Sequence, residues 1–342
     1  MRRAFAASAT TETAAAHQSL PFAAGRQIRT LAMICRRWLA DSLTCSLLLL
    51  LTACAPPRGS HIVVGAKNFT EQVVLGELLA QEIEAVYAQE GHPEQKVDRR
   101  FYLAGSYICQ QALTSRRIDA YVEYTGTALT AILKQPLPTQ HDPEQVLETV
   151  RALYASRYHV RVAQPLGFDD TFAMVVRGDD AQRLHLHTIS DIAKLADSTS
   201  QGRNAWRLGV GYEFESRPDG LPGLSAAYNL HFSALRTMDL GLLYRALANH
   251  QVDIVAGNST DGAIRALRFT VLADDRHYFP PYDAVPLVRE DSIARHPEIA
   301  TATARLAGKV TAEEMQAMND AVDGQHKDVA QVVRQFRAEK GL

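Results

Sequence analysis

Carboxylates and histidines are the side chains in this sequence that could do acid–base or metal chemistry, and their spacing decides how far that possibility reaches. Glu123, Asp219, Asp261 and the pair Asp274-Asp275 carry the acids of interest. Each falls at an expected turn or helix start, where acids ordinarily cap backbone N–H groups or face water. The 12 histidines are dispersed, and only His185 and His187 lie close, flanking one leucine. Two such histidines make half a metal site, and no Cys, His or acid at ligand spacing completes it. There is no Walker phosphate loop, no His-Glu-x-x-His and no Gly-x-Ser-x-Gly elbow. We therefore expect no catalytic residues, no metal, no cofactor and no enzyme.

The cysteines point elsewhere. Three of the four, Cys35, Cys45 and Cys54, lie near the start, which leaves Cys109 alone in the rest. An internal disulfide is then excluded even in an oxidising compartment, and Cys109, in an apolar helix-like stretch, reads as a small core residue. Around Cys54 the sequence has a basic pair, Arg36-Arg37, an uncharged stretch from Leu43 to Leu51, and Leu51-Thr52-Ala53 before the cysteine. These are the parts of an export signal, and the apolar run is shorter than the roughly 20 residues that span a bilayer. With cysteine at the cut, the segment resembles a bacterial lipoprotein signal. That resemblance makes residues 1–53 a leader, Cys54 the lipid-bearing first residue, and the remainder an extracytoplasmic chain tethered to a membrane. Residues 1–32 have no apolar period and should not be forced into structure. Met33, followed by Ile34-Cys35-Arg36-Arg37, is the expected start, with 1–32 an over-extended assignment.

Residues 1–53 hold six Arg and two acids, so the net charge of −2 for the whole chain becomes −6 for the part after them. A mildly acidic chain with scattered charge lacks the basic face of a nucleic-acid binder.

The elements that must position any site alternate. Ile62-Val63-Val64, Phe101 to Leu103, Ile118 to Val122, Phe172 to Val176, Arg207 to Val210, Val252 to Ala256 and Thr270 to Leu272 read as strands. Leu75, Leu78, Leu79, Ile83 and Val86 share one face of a helix, with Asn68 its expected cap and Glu71 three residues on. Further helices are expected from Ile108, from Ser190-Asp191, and from a capping box of Thr311 with Glu314. Turn-rich stretches fall at 136–143, 178–180, 198–204 and 216–223. Alternating strands and helices argue for an α/β protein with largely parallel sheets. The length favours two α/β lobes sharing a cleft over one open sheet, and such clefts are where ligands usually sit.

Five segments, in order, carry a resemblance. They are Gly65-Ala66-Lys67-Asn68-Phe69-Thr70-Glu71-Gln72; Glu123-Tyr124-Thr125-Gly126-Thr127; Glu213-Phe214-Glu215-Ser216-Arg217-Pro218-Asp219-Gly220; Ser259-Thr260-Asp261-Gly262; and Phe279-Pro280-Pro281-Tyr282, just after Asp274-Asp275. Together they resemble the substrate-binding proteins of ABC importers for glycine betaine, choline, carnitine and related osmoprotectants, over about 61–342. The resemblance implies a two-lobed periplasmic-binding-protein fold of type II kind. Lobe one would be 61–168 plus 275–342 and lobe two 169–274, closing over ligand by hinge motion. It also implies a monomer that hands a small quaternary-ammonium or zwitterionic solute to an ABC permease.

A quaternary ammonium donates no hydrogen bond, so aromatic faces suit it, at about 0.5–2 kcal/mol per ring. By the resemblance, Tyr124 and Tyr282 line that cage. Lys67, Thr127 and Arg217 match the family's carboxylate-binding set. Lys67 precedes a helix N-terminus, a region suited to anions, and Arg can grip a carboxylate bidentately. The family often has tyrosine where this chain has Phe172 and Asn258. Phe172 keeps a π face without a hydroxyl, and Asn258 leaves a polar gap. That gap implies weaker binding, or a ligand that hydrogen-bonds an amide. Tyr121 reads as packing, and Tyr107, beside the Gly105-Ser106 turn, could reach the cleft. A rival reading keeps the fold but makes the chain a ligand-sensing lipoprotein that feeds a receptor.

Overall fold

The computed structural model describes residues 61–136, 142–198 and 206–342. The export signal, Cys54 and the Met33 start lie outside them. So do parts of the turn-rich stretches at 136–143 and 198–204.

Ten short strands form two five-stranded mixed sheets with the same plan. The first contains β1 (Val63–Gly65), β2 (Asp98–Arg100), β3 (Ala120–Tyr124), β4 (Val160–Val162) and β10 (Ala284–Arg289) in the order β2-β1-β3-β10-β4. The second contains β5 (Phe172–Arg177), β6 (Arg207–Val210), β7 (Ala234–Thr237), β8 (Ile254–Asn258) and β9 (Phe269–Leu272) in the order β7-β6-β8-β5-β9. In each, three strands pair in parallel and the fourth in the order runs against its neighbours. The fold is α/β, as expected, but the sheets are mixed and not largely parallel, because β10 and β5 each run against both neighbours. Strands β3 and β10 are buried along their whole length, covered on both faces; β3 is expected from the sequence and β10 is not.

The chain leaves the first sheet after β4 and returns to it at β10, and the two crossing segments pair with each other. Asp169 bridges Asp283 in antiparallel fashion. Asp170 N–H donates to Tyr282 O at 3.2 Å and Ala284 N–H to Phe168 O at 3.1 Å. The Tyr282 N–H also donates to the Asp169 carboxylate.

Helix α1 (Thr70–Gln89) is buried on nearly every side, not on one face as its leucine pattern suggested. Helices Glu298–Leu306, α5 (Ala312–Asp323) and α6 (Val329–Lys340) cover the face turned away from the sheet. Polar residues there are paired: the Arg337 guanidinium reaches buried Glu82 at 2.7 Å. Helices α2 (Ser106–Thr114) and α3 (Pro143–Tyr158) cover the opposite face of the first sheet, where Cys109, Leu113, Tyr121 and Leu287 form one cluster. Burial pushes the Cys109 thiol up to about 12. Helix α4 (Leu240–Ala248) packs on the second sheet through Leu243 and Leu247, against Val175 and Val255.

Several local expectations fail for identifiable reasons. Phe101 to Leu103 is not a strand: Tyr102 (φ 62°) and Ala104 (φ 63°) adopt left-handed backbone that breaks an extended run, so β2 ends at Arg100. The third strand runs Ala120–Tyr124 and the β8 strand Ile254–Asn258, each shifted two residues toward the C-terminus of the expected run. Asn68 does not cap α1; Phe69 holds the cap position without a side-chain bond, and the Asn68 amide reaches Asp239 instead, at 3.4 Å. The next helix begins at Ile189, with Asp191 accepting from His187 N–H and Thr188 N–H. Residues 178–180 open the helix Gly178–Leu184. Asp179 and Asp180 suit its positive N-terminal end. The Thr311–Glu314 capping box is present.

Candidate ligand-binding site

The sheet plan brings distant residues to one edge. Tyr124 is the last residue of β3 and Asn258 the last of β8. Lys67 follows β1 by two residues, and Gly211 follows β6. Phe172 opens the antiparallel β5 directly opposite Asn258, so it lies at the same edge. Ligands of open α/β sheets gather at the carboxyl ends of parallel strands. A cavity of about 300 Å³ lies here between the two sheets. All seven residues singled out from the sequence line it: Lys67, Tyr124, Thr127, Phe172, Arg217, Asn258 and Tyr282.

Its walls are aromatic. Phe172 meets Phe214 edge-on at 4.8 Å between centroids and Tyr282 at 5.5 Å. Gly126 allows the Tyr282 ring to approach: a Cβ there would sit 2.7 Å from the ring. The phenols are bonded at their far ends. The Tyr124 hydroxyl donates to Glu71 Oε1 at 2.6 Å, and the Tyr282 hydroxyl to Asp219 Oδ2 at 3.4 Å. Burial holds both hydroxyls well above the usual tyrosine range, so they stay protonated. Sequence reading missed Phe214 as a wall, although it lies in a segment that carries the resemblance. Tyr107 does not line this cavity. It is half exposed, and the Lys134 ammonium bonds its hydroxyl at 3.2 Å.

The two cations are neither free nor at the surface. Lys67 is 3% exposed, pairs with the fully buried Glu123, and stands 4.9 Å from the Tyr124 ring centroid. Arg217 is 2% exposed, grips Asp219 through Nε and Nη2, and lies 5.2 Å from the Phe172 centroid. Its remaining bonds run to Thr127 Oγ1 (3.2 Å) and Thr130 Oγ1 (3.4 Å). Burial works to raise the Asp219 carboxyl, but the Arg217 hydrogen bonds and charge outweigh it and hold the group below its usual range. The expectation that these acids are caps or surface groups therefore fails at Glu123 and Asp219, which neutralise the two cavity cations. Asp274 and Asp275 brace a turn: Asp274 accepts from Tyr278 N–H and Phe279 N–H, and Asp275 from Ser190 N–H. Asp261 accepts from Asn258 N–H and the Tyr244 hydroxyl. Thr127 stands at the N-cap position of the π-helical turn Ala128–Ile132 but makes no side-chain cap bond; its Oγ1 accepts from Arg217.

The donor count matters for recognition. Lys67 has three N–H donors and Arg217 five. Among the described residues they spend one and four, which leaves three for a carboxylate entering the cavity. Glu213 and Asp239 line the same space. With Lys67 and Arg217 already paired, these acids leave the cavity net negative, which favours a cation beside the rings. The site can thus hold a zwitterion by both ends.

The family described as the substrate binding domain of ABC-type glycine betaine transport systems matches residues 60–339. The chain belongs to this family. It is a solute-binding protein of the ABC-importer class, not an enzyme. It is 33% identical over 295 residues to the carnitine transport binding protein OpuCC of Listeria monocytogenes, covering 84% of this chain and 91% of that one. It is 30% identical over 282 residues to the ergothioneine transport permease/binding protein EgtU of Helicobacter pylori, covering 82% of this chain and 48% of that longer one. A solved structure titled glycine betaine/carnitine/choline ABC transporter superposes with a TM-score of 0.66 at 30% identity, over 82% of this chain and 98% of the other. The family's fold is that of two-lobed periplasmic binding proteins. Among the described residues no helix is long and apolar enough to cross a membrane.

Proposed function

We propose that this chain is an extracytoplasmic lipoprotein that captures a quaternary-ammonium or zwitterionic osmoprotectant of the glycine betaine, carnitine or choline type and delivers it to an ABC permease. The observation that carries this reading is the aromatic-walled cavity between the sheets, with three N–H donors left over beside the rings. The onium would sit among Tyr124, Phe172, Phe214 and Tyr282, where each ring contributes about 0.5–2 kcal/mol. A carboxylate would take the spare donors of Lys67 and Arg217 in a closed, desolvated cleft, where charge-assisted hydrogen bonds are strong. We take residues 61–168 with 275–342 as lobe one and 169–274 as lobe two. The paired crossing segments at Phe168–Asp170 and Tyr282–Ala284 are the natural hinge, because they are the two places where the chain passes between sheets.

A thermal-shift screen of glycine betaine, choline, carnitine, proline betaine and ectoine tests the ligand class. A true ligand at one hundred times Kd should add about 2.7 kcal/mol of stability, which is on the order of 5 °C or more in a chain of this size. Absence of a shift with all five compounds would overturn the reading. The anchor has its own test. Metabolic labelling with palmitate should mark the wild-type chain and leave Cys54→Ala unlabelled, with the variant released from the membrane fraction. Equal labelling of both removes Cys54 as the attachment point.

A further inference from the structure

Thr130 belongs to the π-helical turn Ala128–Ile132, which follows β3 of the first sheet, and it lies outside the lining of the ligand cavity. It is buried, and its hydroxyl faces the Arg217–Asp219 pair, which follows β6 and the short helix Tyr212–Ser216 on the second sheet. The Thr130 hydroxyl donates to Asp219 Oδ2, and the Arg217 Nη2–H donates to Thr130 Oγ1 at 3.4 Å. Gly126 O, one helical turn back in the chain, lies 2.7 Å from the same oxygen. A hydroxyl carries one proton, so Gly126 O and Asp219 compete for it. The carboxylate wins when it is within reach, because a hydrogen bond to a charged group is roughly twice as strong as one between neutral groups.

Resting on the two-lobed reading proposed above, we infer that Thr130 is a positioning residue that clasps the closed lobes, its hydroxyl proton passing between Gly126 O in the open chain and Asp219 in the closed one. As the lobes part, Asp219 leaves with the second sheet, and the proton falls back to the i−4 carbonyl that threonines in helical turns commonly bond. No buried donor is stranded, so the clasp opens without the penalty of an unmet hydroxyl. Closure and release exchange one hydrogen bond for another, and the difference between them sets how long a solute is held. Thr130 lies outside the cavity lining, so it acts alike on solutes with and without a carboxylate. Asp219→Asn still offers an oxygen to the hydroxyl, so the clasp persists when that acid is neutralised.

The test measures association and dissociation rates of glycine betaine and choline by stopped-flow fluorescence on the purified full chain. Thr130→Val keeps the shape of the side chain and removes the hydroxyl. It should speed dissociation of both compounds by about fivefold, the worth of one net hydrogen bond, and leave association within about twofold, since affinity differences within one site fall mostly on release. Thr130→Ser restores the hydroxyl and should return dissociation to the wild-type rate. Thermal melts of the ligand-free variants confirm folding. Unchanged dissociation in Thr130→Val overturns the clasp. So does faster release of glycine betaine with choline unaffected, which would tie Thr130 to the carboxylate bond of Arg217 alone, and so does a Thr130→Ser chain that releases as fast as Thr130→Val. Wild-type failure to bind any compound of the screen above overturns the ligand class itself. The clasp is then decided by small-angle scattering of the ligand-free chain: Thr130→Val should have a larger radius of gyration than wild type, and equal radii overturn it.

Discussion

Truncating Arg217 to alanine should cost about 3–5 kcal/mol of stability and weaken binding of a carboxylate-bearing betaine by at least tenfold. The stability loss comes from Asp219, not from the arginine. Asp219 is 2% exposed, and its carboxylate is charged because Arg217 holds it so. Removal of one partner leaves an uncompensated buried charge, whereas replacement of both by neutral groups of similar volume is often close to neutral. The double variant Arg217→Met/Asp219→Asn should therefore recover most of the stability in urea denaturation. It should not recover betaine or carnitine affinity, since the spare guanidinium N–H beside Thr127 is gone. Choline, which has no carboxylate, should be held by the double variant within about threefold of wild type. If the double variant binds glycine betaine as well as the wild type does, Arg217 braces the cleft wall and touches no ligand.

That pairing also marks where the sequence stops being informative. The α/β alternation was legible because strands such as β3 and β5 are buried on both faces and read as apolar runs, whereas β10 is not among the strands expected. The aromatic positions Tyr124 and Tyr282 were legible through short segments that carry the family resemblance. The state of the cations was not. Lys67 finds Glu123 across 56 positions, a contact created by the parallel pairing of β1 with β3, and nothing local announces it. Phe214 was passed over because a phenylalanine in a short helical segment looks like ordinary core; only its edge-on packing with Phe172 places it in the wall. The cap assigned to Asn68 failed for a related reason. The expected local bond competes with a partner in the facing lobe, Asp239, and tertiary contact wins. Glu71 shows the same effect more strongly. In the sequence it reads only as the acid three residues after the Asn68 cap, yet it is 2% exposed and binds groups from three separate segments.

Glu71 is the basis of the second large effect. Its carboxylate accepts from the Tyr124 hydroxyl in β3, from Thr260 on the facing lobe and from Asn319 in α5 at 2.9 Å. Asp170, in the crossing segment, accepts from Thr260 N–H at 3.2 Å and Ser259 Oγ at 3.3 Å. Burial pushes the Glu71 carboxyl up against the pull of its hydrogen bonds. Burial, reinforced by the Glu71 and Asp261 charges, pushes Asp170 up well above the usual range. Burial likewise lifts Asp261 from 3.8 to about 6. Such acids keep protons in the folded chain at pH values where the unfolded chain has lost them. Their contribution is thus fully present below the unfolded values and is lost as pH rises through the folded ones. For Asp261 that window runs from 3.8 to about 6, and burial shifts Asp170 in the same direction. Asp219 and Asp253, held low by arginine partners, work in the opposite direction, but only at more acid pH. From pH 3.8 to about 6 the carboxyl cluster should dominate, and the melting temperature should fall with rising pH. Glu71→Gln removes one charge and relieves its repulsion on Asp170 and Asp261, so the variant's curve should be flatter by several degrees over that range, at about 2–4 °C per kcal/mol for a chain of this size. Parallel curves for wild type and variant would show that Glu71 carries no proton in the folded state. The cluster ties the cage tyrosine to the facing lobe through a single carboxylate, so in that case the interlobe bond to Thr260 would be one between a full charge and a hydroxyl at every physiological pH.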